Sequence, residues 1–89
     1  MNNDMNEMTF KSVLNMLKKQ PRWIGTMSDL RASLNKMLNR REKTLMPSSP
    51  SALRMVLNRV VNRLRNQGVS VKFGRANDHI RTRFVKFSR

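Results

Sequence analysis

Arginine and asparagine recur at helical spacing between positions 54 and 62 of the chain. Arg54, Asn58 and Asn62 are spaced four residues apart, which places them on one side of a helix, and Arg59 lies beside them. Arginine donates paired hydrogen bonds to O6 and N7 of guanine, and asparagine pairs with N6 and N7 of adenine. The spacing therefore predicts a helix that reads base edges of a duplex, with Arg54, Asn58 and Arg59 as base contacts on its first two turns.

The same helix, over about residues 50–66, has clear start and stop signals. Ser49 is the expected N-cap, and Pro50 suits the first helical position, where its missing N–H costs nothing. The hydroxyls of Ser49 and Ser51, beside the free N–H groups of the first turn, favour a phosphate contact. Gly68 is expected to end the helix in the left-handed conformation. The apolar positions form one stripe: Leu53, Val56, Leu57, Val60 and Leu64.

A basic hairpin is predicted to follow, over about residues 69–87. The first strand runs from Val69 to Phe73, the turn from Gly74 to Asp78, and the second strand from Ile80 to Phe87. Apolar residues of the second strand fall on both sides, which a bulge or uneven burial along the strand would resolve. As a wing, the hairpin would contact the DNA backbone or minor groove through four side chains: Lys72, Arg75, Arg81 and Arg83.

The earlier part of the chain predicts two more helices. The first runs from Thr9, its N-cap, to Lys19, after a flexible leader over residues 1–8. Asp4 and Glu7 could alternatively begin helical structure within that leader as a capping pair. A brief strand at 22–25 is expected to add to the hairpin. The second helix begins after Thr26, with Asp29 as capping-box partner, and buries Met27 together with Met37 or Leu38. A polar connector spans 39–48.

This order of elements predicts an α+β fold, a winged helix-turn-helix domain over residues 9–89. A three-helix core, with the short strand after the first helix, would carry a C-terminal β-hairpin wing. Trp23 and Phe87 are predicted to pack in the core, together with Phe73 and Phe84. The remaining methionines of the first helix region, Met5, Met8 and Met16, could instead form an exposed patch.

The charge balance indicates a polyanionic partner. The 89 residues carry 19 Lys and Arg against 5 Asp and Glu, a net charge of +14. Such an excess repels itself in a compact chain and suits duplex DNA. Residues 49–89 hold ten of these bases and a single acid, Asp78, so the net positive charge is greatest in the third helix and hairpin.

Other classes of function have little support. The glycines are scattered rather than grouped in a phosphate loop, no spacing suggests a nucleophile with a base, and His79 alone cannot form a metal site. The chain contains no cysteine. We therefore expect no enzyme activity, no cofactor, no metal, no small-molecule substrate and no membrane span, and a cytoplasmic, nucleoid-associated location.

Three motifs carry a family resemblance: Trp23-Ile24-Gly25-Thr26-x-x-Asp29-Leu30, Pro47-x-Ser49-Pro50-x-Ala52-Leu53, and Leu64-Arg65-x-x-Gly68-Val69-x-Val71-x-Phe73. With a closing strand that contains Arg81, Arg83 and Lys86, they resemble the winged-helix domain at the C-terminus of phage- and plasmid-type replicative helicases and primase-helicases. The resemblance covers about residues 10–87. It implies duplex DNA binding in the replication or transcriptional control of a phage, plasmid or other mobile element.

Two other functions stay open at this point. A winged-helix scaffold can serve as a protein-interaction module, here for an acidic protein, as an inhibitor of a host system or a helicase adaptor. The same basic face could also bind RNA. No stretch has the heptad length of a dimerisation helix, so we expect a monomer or a weak dimer.

Overall fold

A computed structural model gives the structure of the chain and describes residues 3–75 and 83–89. Within these ranges the elements follow one another in this order: α1 (Asn3–Lys19), β1 (Arg22–Gly25), α2 (Met27–Lys36), α3 (Arg40–Lys43), α4 (Pro50–Asn66), β2 (Ser70–Arg75) and β3 (Arg83–Ser88). The predicted third helix is therefore α4, and the predicted wing is the β2–β3 hairpin.

The three strands form one antiparallel sheet in the order β1-β3-β2. Strand β3 lies in the middle, so Phe87 is opposite both Trp23 of β1 and Val71 of β2. The brief strand predicted at 22–25 does add to the hairpin. Helices followed by a small antiparallel sheet confirm the α+β class and give a winged-helix-like arrangement.

The core lies between the helices and one face of this sheet. The apolar stripe predicted for α4 is buried in full, as are Leu30 and Leu34 of α2. Val71, Val85 and Phe87 cover it from the hairpin. The pairing of β3 with β2 runs without a bulge from Arg83 to Ser88. In this part of the strand, uneven burial therefore explains why apolar residues lie on both sides.

The cap predictions for α2 and α4 are confirmed. The hydroxyl of Thr26 accepts from the Asp29 N–H and the Asp29 carboxylate accepts from the Thr26 N–H, both at 3.1 Å. The hydroxyl of Ser49 accepts from the Ala52 N–H at 3.1 Å. Gly68 has a φ of +83°, and the next N–H, of Val69, bonds the Leu64 carbonyl. This left-handed C-terminal cap directs the chain from the helix into β2.

The start predicted at Thr9 is wrong, because α1 begins at Asn3, close to the alternative start at Asp4. Thr9 is fully buried inside the helix and does not cap it. The early turns are held by α4: Arg63 donates to the Glu7 carboxylate at 2.6 Å and its guanidinium lies 4.2 Å from the centre of the Phe10 ring. Contacts with a distant helix thus stabilise a segment whose own apolar pattern is weak.

The connector predicted at 39–48 contains a further helix, α3. The Asn39 side chain accepts from the Glu42 N–H at 2.8 Å, and the Glu42 carboxylate accepts from the Asn39 N–H at 3.0 Å, a complete capping box. Met46 is buried in the core. Arg31 of α2 donates to the Pro47 carbonyl at 3.1 Å. The connector therefore packs against the domain through Met46 and Pro47, and the domain has one more helix than predicted, although α3 itself buries no residue.

Strand β2 is longer than predicted, because Gly74 and Arg75 belong to the strand and not to the turn. Gly74 is paired with Phe84, and Arg75 is paired with Arg83. The Phe84 ring lies over Gly74 so closely that a Cβ at this position would be 2.7 Å from the ring. An aromatic side chain over a cross-strand glycine keeps the pairing going at a residue that weakens strands.

The methionines divide differently from the prediction. Met16 is 4% exposed and belongs to the core, and Met8 packs against it, so neither contributes to an exposed patch. Met27 packs on the core as predicted. Met37 is exposed, and Leu38 packs inward in its place. Trp23 packs against the core with its ring 6.1 Å from that of Phe87.

Two kinds of feature are absent from residues 3–75 and 83–89. No helix between residues 3 and 75 is long and apolar enough to cross a membrane. Over the same described part of the chain, no three His, Cys, Asp or Glu side chains are grouped as metal ligands would be. His79 lies outside the described residues.

Candidate nucleic-acid interface

Helix α4 presents an exposed face of mixed polar, basic and apolar side chains. Capping by Ser49 and burial of the Leu53–Leu64 stripe fix the rotation of the helix, so the positions opposite the stripe point outward. The sequence of α4 contains no Asp or Glu. The exposed side chains on the side opposite the buried stripe include those of Ser51, Met55, Asn58, Arg59 and Asn62. Four of the predicted site residues therefore share one surface.

Met55 belongs to this surface and was not among the predicted site residues. It is 60% exposed, four residues after Ser51 and three before Asn58. The signal for it was present in the sequence, because helical spacing alone places it between those two residues. An apolar side chain in this position can contact the 5-methyl group of thymine in the major groove.

Ser49 and Ser51 have different surroundings. Ser49 is half-buried and its hydroxyl oxygen is used as the N-cap acceptor, which leaves its O–H as a donor. Ser51, in the first turn, is exposed. Both lie at the positive end of the α4 dipole, where an anion is favoured.

Arg54 is directed toward the hairpin and is half-buried. Its guanidinium lies 3.7 Å from the centre of the Phe73 ring of β2. Its Nε donates to the Asn58 side-chain oxygen at 3.4 Å, a long hydrogen bond. Stacking on the ring and the bond to Asn58 restrict this arginine, while no described residue accepts a hydrogen bond from its two terminal nitrogens.

The basic side chains of the hairpin lie on opposite faces of the sheet. Alternation places Arg75 and Arg83 on the face that carries Phe73 and Val85, which is the face toward α4. Lys72 is paired with Lys86 and lies on the other face. The structure therefore brings Arg75 and Arg83 to the α4 side and does not bring Lys72 there. Arg81 lies outside the described residues.

Two hollows adjoin Arg54. The smaller, of about 310 Å³, lies between α4 and the hairpin and is lined by Arg54, Phe73, Gly74, Arg75 and Arg83. The larger, of about 570 Å³, lies along the starts of α2 and α4 and is lined by Thr26, Met27, Ser28, Pro50, Ser51, Arg54, Met55, Arg83 and Phe84. Arg54 and Arg83 line both, so these two guanidiniums stand where the helix face and the wing meet.

Several other arginines make contacts within the domain. Arg65 donates to the Val71 carbonyl at 3.3 Å, and Arg31 donates to the connector. Arg63 pairs with Glu7, and its hydrogen bond and positive charge hold the pKa of that carboxyl below its usual value of 4.5. These arginines have a structural partner, unlike Arg59, for which the structure gives no contact of this kind among the described residues.

Comparison with known proteins places the chain in a family. The family model described as the AICE RepA C-terminal domain matches residues 10–89, nearly the whole length. No curated protein and no solved structure matches. The match agrees with the replication and mobile-element setting expected from the sequence, while the resemblance to helicase and primase-helicase domains stays a prediction. The chain belongs to the AICE RepA C-terminal domain family, a replication-related domain of mobile elements.

Proposed function

We propose that this domain binds double-stranded DNA through α4 and the adjoining side of the hairpin, in the replication of a mobile element. One observation carries the proposal: α4 exposes Asn58, Arg59 and Asn62 on a single face, with no carboxylate anywhere in the helix. Solvated helix faces usually mix charges of both signs. A face of donors, acceptors and positive charge suits the major groove.

Docking would use two kinds of contact. The basic residues near the wing and the start of α4 would hold phosphates and set the position of the domain on the duplex. The face of α4 would then meet base edges, with asparagine for adenine and Arg59 for guanine. In this assignment Met55 packs on thymine methyl groups beside Asn58 and Asn62. We expect a site that contains A·T pairs at the centre of the contact.

A protein-interaction module is the second candidate, and one observation favours it. Ile24 of β1 is 61% exposed and is paired with Lys86, which is in turn paired with Lys72. An exposed apolar side chain among lysines would suit an acidic protein that binds the outer face of the sheet. The support expected from exposed methionines is weaker, because Met8 and Met16 pack in or on the core.

Fluorescence anisotropy distinguishes these functions. The whole chain would be titrated with a duplex of about 20 base pairs, with one of its strands alone and with an RNA hairpin, over a salt series. We expect preference for the duplex and a linear fall of log affinity with log salt. Equal or stronger binding to the single strand or the hairpin would contradict the proposal. A pull-down from a cell lysate would complement the titrations. A protein that stays bound to the chain above about 0.5 M salt, together with no preference for the duplex in the titrations, would favour the protein-interaction module.

A further inference from the structure

Two arginines face each other across the hairpin ladder. Arg75 of β2 and Arg83 of β3 are direct partners in the antiparallel register, and both are exposed. Like charges directly opposite in a sheet repel each other and destabilise the pairing. The pair lies on the face of the hairpin that packs on the core, at the end where that core stops. The sheet therefore carries an unfavourable pair at a position that faces α4.

A third guanidinium comes from α4. Arg54 lines the same hollow of about 310 Å³ as Arg75 and Arg83. Phe73 forms part of its wall and carries the Arg54 guanidinium on its ring at 3.7 Å. No carboxylate is among the lining residues that the structure describes. Three positive charges from three different elements thus surround one space, and an aromatic ring fixes the position of one of them.

We infer that this hollow is a phosphate-binding site, in which Arg54, Arg75 and Arg83 together hold one phosphate of a DNA backbone. Guanidinium groups bind phosphate oxygens through paired, charge-assisted hydrogen bonds. A bound anion would also relieve the repulsion between Arg75 and Arg83. A neutral base would leave all three charges unmatched, so phosphate fits this space better than guanine does.

This inference rests on the proposed function and changes the part of Arg54 in it. The sequence predicted a base contact for Arg54. Stacked on Phe73 and grouped with two wing arginines, it instead becomes a phosphate contact that positions α4 in the groove. The contacts with base edges would then be made by Met55, Asn58, Arg59 and Asn62. A clamp made of both α4 and the wing would also fix the angle between the duplex and the helix.

A matched pair of double variants tests the site. Arg75→Gln with Arg83→Gln removes two charges from the face toward α4. Lys72→Gln with Lys86→Gln removes two charges from the same strands, also from directly paired positions, but on the outer face. The net charge changes equally, so a difference between the variants cannot come from net charge and reports the position and chemistry of the groups removed. Circular dichroism and thermal melting would verify that both variants are folded.

Duplex binding is the first readout. For the arginine variant we expect at least a tenfold loss of affinity and a log–log salt slope that is smaller by about one unit, the contribution of one phosphate contact. The lysine variant should lose distinctly less affinity. Equal losses in the two variants would overturn the site.

Thermal melting in phosphate is the second readout and separates free phosphate from backbone phosphate. The parent and both variants would be melted in sodium phosphate and in sodium chloride of equal ionic strength. A phosphate-specific rise in Tm in the parent and lysine variant, lost in the arginine variant, shows that the site holds free phosphate. No such rise, with selective loss of duplex binding in the arginine variant, shows a site that takes phosphate only in a DNA backbone.

The two readouts also separate this inference from the proposed function. A parent that binds no duplex but gains an arginine-dependent Tm rise in phosphate keeps the phosphate site and refutes DNA binding. A parent that binds duplex with equal losses in both variants keeps DNA binding and refutes the site. Absence of both effects refutes both.

Discussion

The guanidinium of Arg54 on α4 lies 3.7 Å from the centre of the Phe73 ring on β2. This contact joins the helix that we assign to the major groove with the hairpin that we assign as the wing. Phe73 also packs against the core, which restricts the movement of its ring. The position of Arg54 relative to Arg75 and Arg83 therefore depends on an aromatic side chain that need not touch DNA.

Replacing that support should weaken DNA binding. Phe73→Leu keeps an apolar side chain in the wall but removes the cation–π contact, which contributes about 0.5–1 kcal/mol at partly exposed sites. We expect a roughly two- to fivefold loss of duplex affinity, measured by anisotropy. In an Arg54→Ala background the same substitution should have no further effect on binding. Equal losses in the two backgrounds would show that Phe73 acts through stability and not through Arg54.

Arg59 should determine sequence preference. A preferred site would first be selected from a pool of random duplexes with the parent chain. Arg59→Ala should then cost about 1–3 kcal/mol on that site and relax the preference at one position. Arg41→Ala removes the same charge from an exposed position on α3, outside the proposed contact surface, and serves as control. If both variants lose the same affinity on selected and random duplexes, Arg59 does not read a base.

Met55 should report on thymine methyl groups. The selected duplex would be compared with the same duplex in which uracil replaces thymine, which removes only the 5-methyl groups. Burial of one such group is worth about 0.8 kcal/mol, roughly a fourfold change in affinity. We expect the parent to prefer the thymine duplex and Met55→Ala to bind both equally. A thymine preference that survives in Met55→Ala would assign the methyl contact to another residue.

The Glu7–Arg63 pair should make stability depend on pH. Its hydrogen bond holds the pKa of Glu7 below the usual 4.5 in the folded chain, whereas the unfolded chain keeps the usual value. The stabilisation is thus fully present above the unfolded value and is lost as pH falls through the lower folded value. Between about pH 5 and pH 3, the Tm of the parent should fall more steeply than that of Glu7→Gln. Asp4→Asn, which leaves the pair intact, should follow the parent.

Local signals were enough to predict much of this fold. The caps at Thr26 and Ser49, the proline after Ser49 and the stripe from Leu53 to Leu64 each specify a helix boundary or face from neighbouring residues alone. The outward face of α4 followed from the same spacing. For these elements the local preferences and the tertiary structure agree, so sequence patterns predict them well.

Other features depend on contacts that sequence patterns do not show. The start of α1 is held by a bond between residues 56 positions apart, Arg63 and Glu7. The helix α3 had a readable capping box in Asn39 and Glu42, but it is too short for an apolar period to reveal it. The sequence predicted that the strand ends at Phe73 and that a turn begins at Gly74. In the structure the strand continues, and Arg75 lies on the same face of the sheet as Phe73. Because of that, the site shared by Arg54, Arg75 and Arg83 could not be foreseen.

An NMR titration would test the central claim most directly. Backbone amide shifts of the labelled chain would be followed as a duplex of about 20 base pairs is added at moderate salt. The largest changes should fall in α4 between Ser51 and Asn62 and at Arg75 and Arg83, with little change at Lys18 and Lys36 of the α1–α2 side. Changes concentrated on α1, α2 or the outer sheet face around Ile24, with α4 unaffected, would contradict the claim that α4 and the wing form the DNA-binding surface.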